Sequence, residues 1–231
     1  MIFETFKDRA EAGRLLGEAL AEKKFTDPVV LALPRGGVPV AVEVGRQLQA
    51  PVDLVLVRKI GVPFQPELAA GAVVDGGDPE TVYNDDVIAA AGLSRATVDE
   101  LAVSELEEIE RRRKLYLKDR KRAPIAGRTV IVVDDGLATG ATARAALHAL
   151  RRKKPQRLVL AVPVAPKDTL DALASEVDET ICLSQPAPFI AIGVHFRDFT
   201  QLTDDDVISF LNEAEDFADA ATDLDRPAKR S

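Results

Sequence analysis

The chain has 231 residues, of which 46% are hydrophobic and 29% are charged, and its formal net charge is −8. This length and apolar content suit one well-packed α/β domain with an inserted or appended subdomain, and they are short for two full domains. The excess of acids argues against a general nucleic-acid or anionic-membrane surface, since both need excess cations. We therefore expect any site for a polyanion to be local.

The sequence shows no signal for export or membrane insertion. Its single cysteine, Cys182, excludes an internal disulfide framework, and we expect it to be a small buried hydrophobe. The start MIFETFKD lacks the basic region and apolar core of a signal peptide. No apolar run is long enough to span a bilayer. We expect a cytoplasmic protein.

The predicted elements begin with an amphipathic helix from about residue 7 to residue 23. Apolar side chains recur on one face, and charges fill most other positions. That face comprises Leu15, Leu16, Ala19 and Leu20. Asp27 and Pro28 end the segment, and the apolar run 29–33 has the composition of a buried strand.

A glycine-containing loop follows this first strand. Arg35, Gly36 and Gly37 stand almost directly after it. Adjacent glycines let the backbone approach a ligand or take conformations that other residues avoid, and an arginine guanidinium suits a phosphate. The same residues also fit a plain strand-to-helix connection. A ligand-binding loop and a structural turn are both compatible with this stretch.

A second unit repeats this order, with a short helix from 40 to 48 and an apolar strand from 52 to 57. The strand ends in Arg58 and Lys59, which would point at the crevice where open α/β sheets bind ligands. The alternative is a pair of solvated loop charges. Segment 60–67, with two prolines and a glycine, is predicted to be a loop.

The middle of the chain is predicted to hold one more strand and a long polar helix. Residues 68–74 fit the strand, and 75–79 fit a hairpin-like turn. From 81 to 122 the composition becomes that of a helical insertion, with Ser94 as its N-cap or the run 97–100 as an alternative capping box.

This insertion contains the basic run 111–114. Glu107, Glu108 and Glu110 each lie four residues before a cation of the run, which is the favourable order for pairing on a solvated helix. We predict that these acids neutralise the run and that it is structural. The alternative is that it belongs to a mobile cationic lid.

The strongest functional signal is the run VIVVDDGLATGAT, residues 130–142. Its β-branched residues predict a strand buried on both faces, which ends in Asp134 and Asp135. A small turn then leads into a helix, so that backbone amides and the hydroxyls of Thr139 and Thr142 meet at a helix N-terminus, a ready anion site. Carboxylates one loop away from such a cradle describe a pocket for a phosphorylated sugar.

Acid pairs at strand ends also hold magnesium in phosphate-loop nucleotidases and in receiver domains. The first class needs a Gly-x-x-x-x-Gly-Lys-Ser/Thr loop, which the chain lacks. The second leaves the Ala-Thr-Gly-Ala-Thr composition unexplained. Four apolar residues, two acids, two spacers and Ala-Thr-Gly-x-Thr resemble the phosphoribosyl pyrophosphate signature of type I phosphoribosyltransferases. Strands and helices alternate from 29 to 183, which fits the doubly wound, mostly parallel α/β sheet of that family.

The resemblance assigns roles to individual residues. It makes Arg35, Gly36 and Gly37 a pyrophosphate loop, in which several family members have a non-proline cis peptide. Asp134 and Asp135 would bind the ribose diol and help to orient magnesium, the expected cofactor. The catalytic set would be Arg35, Lys59, Asp134 and Asp135. The expected substrate contacts are Arg35, Gly36, Gly37, Arg58, Lys59, Asp134, Asp135, Ala138, Thr139, Gly140, Ala141, Thr142 and Phe196.

The last third of the chain completes the predicted sheet. Its elements are the signature helix 141–153, a strand 157–162, a helix 167–174, a strand 177–183 and a final helix 203–217. The irregular aromatic segment of about 184–202 would be the family's hood over the acceptor, where Phe189 or Phe196 could stack on a base. The alternative is that this segment only covers core. One domain is expected over 1–217, followed by a disordered tail over 218–231.

The resemblance implies transfer of phosphoribosyl from phosphoribosyl pyrophosphate to a nitrogen acceptor, a nucleobase, with release of pyrophosphate. Ala138 departs from enzymes of hydroxypurines, which have an aspartate there to handle a base proton, and the motif looks closer to adenine-type enzymes. A non-catalytic regulator that senses phosphoribosyl pyrophosphate or nucleotides is the alternative, and a phosphoribosyl-binding hydrolase is a third hypothesis. We expect a homo-oligomer whose partners are small molecules, without nucleic acid or membrane.

Overall fold

The computed structural model describes residues 5–75, 79–118 and 120–224. In chain order its helices and strands are α1 (Arg9–Ala21), β1 (Pro28–Ala32), α2 (Gly37–Leu48), β2 (Val52–Leu54), β3 (Leu56–Val62), β4 (Gln65–Asp75), β5 (Pro79–Tyr83), α3 (Asp85–Ala90), α4 (Arg95–Leu117), β6 (Thr129–Val133), α5 (Ala141–Arg152), β7 (Arg157–Val164), α6 (Lys167–Leu173), β8 (Glu179–Ser184) and α7 (Asp204–Leu224). Short 3-10 helices cover Ala174–Glu176 and Ile192–His195.

The larger sheet has five parallel strands in the order β2-β1-β6-β7-β8. Its central strand β6 is buried at every position, and Val130 pairs with Val29 of β1. Alternate residues of a strand face opposite sides of the sheet. Ile131 and Val133 therefore join a core with α1, α2 and α7, while Val130 and Val132 join a core with α5. Burial on both faces explains the continuous apolar run and confirms the predicted doubly wound α/β fold.

The smaller sheet is antiparallel, in the order β3-β4-β5, and α4 and α5 both pack against it. The predicted strand 52–57 is divided at Val55 between the two sheets. The predicted loop 60–67 is wrong, because β3 and β4 form one hairpin and the chain turns only at Pro63 and Phe64. A register shift beside Gly61 accommodates the irregular composition within a paired strand. The strand predicted over 68–74 is confirmed as part of β4.

The predicted helical insertion 81–122 is partly wrong, since it starts with the end of β5 and then contains the two helices α3 and α4. Ser94 is confirmed as the N-cap of α4, where its hydroxyl accepts a hydrogen bond from the Thr97 amide at 3.1 Å. Glu108 pairs with Arg111 and Arg112 at 2.7 and 2.6 Å. Adjacent acids therefore neutralise much of the basic run, as predicted.

The two ends of the described chain differ in detail from the predicted helices. In α1, Leu16 and Leu20 are fully buried, whereas Leu15 is 42% exposed, so the predicted face is wrong at that position. Helix α7 continues to Leu224, beyond its predicted end at 217. The rest of the predicted tail and the tip of the predicted turn at 76–78 lie outside the described residues. Among the described helices, none combines the length and the apolar content that crossing a bilayer requires.

Candidate functional site

The loop after β1 and the acids after β6 meet at the carboxyl edge of the parallel sheet. A Cβ atom on Gly36 would overlap the Asp135 carboxylate, and one on Gly37 would lie 2.7 Å from the Val133 carbonyl oxygen and 2.9 Å from the Asp134 Cα. Both positions therefore require glycine, because the loop after β1 packs closely against the acids after β6. The peptide bond between Pro34 and Arg35 is cis, as in the family members that the loop resembles.

The two acids have different surroundings. Asp134 is half-buried and its Oδ1 accepts a hydrogen bond from the Asp135 amide at 2.9 Å. Asp135 is 7% exposed, and its Oδ2 accepts a hydrogen bond from the Arg9 Nε at 2.7 Å. Burial, followed by the neighbouring Asp135 charge, raises the pKa of Asp134 well above its usual range. Burial also raises the pKa of Asp135, and the bond from Arg9 opposes that rise.

Sequence reasoning missed Arg9 as a residue of this edge. Its guanidinium contacts Asp135, donates to the Thr200 carbonyl oxygen at 2.9 Å and lies 3.8 Å from the centre of the Phe199 ring. Because Arg9 and Asp135 are 126 positions apart, no local pattern could have joined them. A charge at the start of an amphipathic helix is the only sign of Arg9 in the sequence.

The signature turn leads from β6 into α5, and its residues 138–142 are the predicted anion cradle. Gly140 precedes the first residue of α5 and has a φ of +70°, a left-handed conformation that favours glycine. Thr139 and Thr142 are exposed on either side of it. The Thr169 hydroxyl donates to the Ala138 carbonyl oxygen at 2.6 Å, which ties the turn to α6. The first amides of α5 and two exposed threonine hydroxyls therefore lie together, which suits the predicted anion site.

A pocket of about 440 Å³ lies between this cradle and the antiparallel sheet. Polar and charged residues of its lining are Lys59, Tyr83, Asn84, Asp85, Asp86, Thr139, Thr142, Arg144, His148 and Glu176. Arg58 instead forms an ion pair with Glu105 at 2.8 Å. The prediction that Arg58 and Lys59 emerge together at a strand end is wrong, because both lie inside β3 and adjacent strand residues face opposite sides. Lys59 reaches the cradle side, whereas Arg58 turns to α4.

Arg35 faces the start of α7. Its Nη1 lies 3.8 Å from the Asp204 carboxylate, and the Tyr116 hydroxyl donates to the same carboxylate. Burial, followed by this hydrogen bond, raises the pKa of Tyr116 to about 12. About a third of the Arg35 side chain is exposed, so the guanidinium is accessible beside the glycine loop.

Phe196 does not present an open face to a base. It is 6% exposed, and its ring lies 5.4 Å from that of Phe6 and 5.0 Å from that of Phe199. The predicted stacking role of Phe196 is corrected to one in core packing, since neighbouring rings occupy its surroundings. Phe189 stacks on His195, with ring centres 5.7 Å apart.

The metal prediction concerned Asp134 and Asp135. Within the described part of the chain, no group of three or more histidine, cysteine or acidic residues could hold a metal ion. Asp135 is already paired with Arg9, which leaves Asp134 as the half-buried carboxylate of the pair. One or two carboxylates suit magnesium that is held mainly by substrate phosphates and water, and they do not form a complete protein cage.

Comparisons with known proteins identify the family to which this fold and site are similar. The phosphoribosyl transferase domain family matches residues 4–197. Proteins named "Putative phosphoribosyl transferase" from two strains of Mycobacterium tuberculosis are 49% identical over 216 residues, which is 93% of this chain and 48% of theirs. The crystal structure of TT1426 from Thermus thermophilus has 42% identity and a TM-score of 0.81, covering 90% of this chain and 98% of that one.

The chain belongs to the phosphoribosyl transferase domain family. It spans about half of the length of the two Mycobacterium relatives. The family therefore accounts for this chain's fold and for the signature loop, while the relatives carry a similar amount of sequence beyond the matched part.

Proposed function

We propose that this chain transfers the phosphoribosyl group of phosphoribosyl pyrophosphate to a nitrogen acceptor, a nucleobase, and releases pyrophosphate. One observation carries the proposal. A half-buried acid, a glycine loop and the turn before α5 lie together at the carboxyl edge of the parallel sheet. Asp134 touches the Gly37 loop, and the same turn continues into the cradle of Thr139 to Thr142.

Each part of this site suits a different group of phosphoribosyl pyrophosphate. The hydroxyls of Thr139 and Thr142 and the first amides of α5 would donate to the ribose phosphate, with Lys59 across the pocket as a counter-charge. The Asp134 carboxylate would accept hydrogen bonds from the ribose hydroxyls. The loop of Arg35 and its two glycines would hold the pyrophosphate, since an arginine and exposed amides both suit an anion.

The reaction breaks the bond between the anomeric carbon and a pyrophosphate oxygen and forms a bond from that carbon to the acceptor nitrogen. Positive charge develops on the ribose as pyrophosphate leaves, so catalysis needs the leaving group neutralised and the acceptor held in line. Magnesium, when bound on the pyrophosphate, would supply part of this neutralisation. Ala138 has no titratable group, so the acceptor proton would leave through another group or water.

The decisive experiment mixes the protein with phosphoribosyl pyrophosphate, magnesium and a panel of nucleobases and measures released pyrophosphate. In parallel, calorimetry should show that Asp134→Asn weakens binding of phosphoribosyl pyrophosphate by about 1.5–3 kcal/mol, the scale for a lost hydrogen bond to a charged group. Asp171→Asn is a matched control, because its carboxylate pairs with Lys167 on the surface of α6.

Two results would contradict the proposal in different ways. Tight binding without pyrophosphate release for any base would favour the regulatory alternative, a protein that senses phosphoribosyl pyrophosphate. Equal affinity of wild type and Asp134→Asn would remove Asp134 from the sugar site. The expected homo-oligomer stays a prediction.

A further inference from the structure

We infer that a cavity at the far end of α5 from the cradle is a second binding site, which takes a small phosphate ester with an apolar or aromatic body. We call this cavity the distal pocket, and residues 31, 53, 54, 113, 122–126 and 153 line it. It shares no described lining residue with the pocket beside the cradle. The inference therefore goes beyond the proposed function and does not depend on it.

The distal pocket has the size of a ligand site and lies away from the acids after β6. Its volume is about 450 Å³, and small-molecule pockets commonly measure about 300–1,000 Å³. Gly140 precedes the first residue of α5 and Lys153 follows the last, so the 12 residues of this helix separate them by about 18 Å. A ligand in the distal pocket would leave the cradle free.

Three cations from three different elements meet at the distal pocket. Arg113 belongs to α4, Arg122 precedes β6 in the chain, and Lys153 follows α5. Only one acid, Asp53, is found among the described lining residues. This excess of positive charge is local, because the whole chain has a formal net charge of −8. A cavity lined in this way favours an anion.

The three cations keep much of their binding capacity. Within the described residues, the Arg122 guanidinium makes one hydrogen bond, from Nη2 to the buried Asp75 carboxylate at 2.6 Å, although a guanidinium has five N–H donors. Arg113 lies 3.6 Å from the Glu110 carboxylate and 3.9 Å from that of Asp75, which is longer than a charge-assisted hydrogen bond. The Lys153 ammonium has no ion pair in the described part of the chain.

These side chains also remain within reach of a ligand. The Arg113 side chain is 39% exposed and that of Arg122 is 23% exposed, and Lys153 is half-buried. Guanidinium groups donate to two oxygens of one phosphate, and an ammonium adds a point charge. Two arginines and a lysine therefore suit a phosphate group.

The wall of the distal pocket beside these cations is apolar. Residues 123–126 have the sequence Ala-Pro-Ile-Ala. Asp53 fixes this segment to the edge strand β2, because its Oδ2 accepts from the Ala123 amide at 3.0 Å and its Oδ1 from the Leu54 amide at 2.7 Å. Both oxygens of the one lining acid are thus occupied by backbone amides. An apolar or aromatic body attached to the phosphate could pack on this wall.

The first arm of the test is a titration with phenyl phosphate, followed by NMR on the backbone amides of the wall. The amides of Ala123, Ile125 and Ala126 should shift and saturate. Inorganic phosphate should bind about tenfold more weakly, because it lacks the apolar body. Benzyl alcohol should produce no saturable shift, since it has no charge for the cations. The amides of Thr139 and Gly140 report binding at the cradle separately.

The second arm compares two neighbouring lysines. Lys153→Met should weaken phenyl phosphate binding at the wall by about tenfold, because an ammonium without an ion pair is lost. Lys154→Met removes the same charge from an exposed residue outside the described lining, and it should change the affinity by less than about twofold, since solvent screens it. Arg113→Met, on α4, is a second variant that should weaken binding. Arg122 is left unchanged, because its loss would strand the buried Asp75 carboxylate.

Three outcomes would overturn the inference. Absence of a saturable shift at 123–126 would show that phenyl phosphate does not occupy the distal pocket. Equal weakening by Lys153→Met and Lys154→Met would show general attraction to positive charge without a built site. Shifts confined to Thr139 and Gly140 would place phenyl phosphate at the cradle alone. Binding of phosphoribosyl pyrophosphate is measured separately, so failure of the proposed function would leave this result unaffected.

Discussion

The two sheets of this molecule place their charged side chains in different ways. In the parallel sheet, Asp134 and Asp135 follow the last residue of β6, where the chain leaves the sheet and turns. In the antiparallel sheet, Arg58 and Lys59 lie in the interior of β3. The two acids meet the same glycine loop, whereas the two cations separate to opposite sides.

The difference shows that adjacency in sequence predicts a shared site only where the strand has ended. Beyond a strand end the backbone no longer alternates, so successive side chains can converge on one crevice. Inside a strand the pleat sends neighbours to opposite faces. Lys59 reaches the cradle pocket because of this alternation, and Arg58 reaches Glu105 for the same reason.

The largest effect is expected at the turn that follows the acids. Gly140→Ala should lower the free energy of unfolding by about 1–3 kcal/mol for the left-handed backbone and by about 1–3 kcal/mol more for overpacking. The added Cβ would lie 2.8 Å from the Thr169 Cγ2 and 3.0 Å from the Leu173 Cδ1. Denaturant unfolding measures the loss.

Gly92→Ala is the matched control for this variant. Gly92 has a φ of +64°, and a Cβ there would meet nothing within 4 Å. Gly92→Ala should therefore lower the free energy of unfolding only through the left-handed backbone, without the overpacking expected at Gly140. Equal losses in the two variants would mean that the packing of the turn against α6 is unimportant.

In the antiparallel sheet we expect a smaller effect, which should differ between the neighbouring residues Lys59 and Arg58. Lys59→Met should weaken binding of phosphoribosyl pyrophosphate by about 1–2 kcal/mol, because a cation facing the phosphate cradle is lost. Arg58→Met should leave binding unchanged, since its partner is Glu105. Isothermal titration of both variants is the measurement, and similar weakening by both would return Arg58 to the site.

The smallest effect is expected on α4, the helix that covers the antiparallel sheet. Arg111 and then Arg112 lower the pKa of Glu108 to about 2 through hydrogen bonds. A lowered pKa means that the ion pairs stabilise the fold above the ordinary carboxyl pKa and that this contribution is lost as pH falls toward 2. Glu108→Gln should therefore cost below about 0.5 kcal/mol at neutral pH.

Thermal unfolding of wild type and Glu108→Gln over a range of pH checks this prediction. The difference in Tm should shrink as pH falls and as salt rises, because the pair is partly exposed. A difference that grows in acid would show that Glu108 acts through something other than these ion pairs.

Much of the fold was predictable from local patterns. Continuous β-branched runs indicate strands buried on both faces, and β1, β6 and β7 all lie close to their predicted positions. The N-cap at Ser94 was predictable because capping is local chemistry. The hairpin of β3 and β4 was not, since its prolines and glycines suggest a loop and only pairing with a partner strand overrides that preference.

The site divides in the same way. The acid pair, the glycine loop and the cradle of Thr139 to Thr142 could be predicted from the sequence alone, because each is a short run whose chemistry follows from the end of a buried strand. The pairing of Arg9 with Asp135 and the burial of Phe196 arise only when the chain has folded. These contacts join residues that are far apart in the chain, so packing, and not local sequence, determines that Arg9 pairs with Asp135 and that Phe196 lies among aromatic rings.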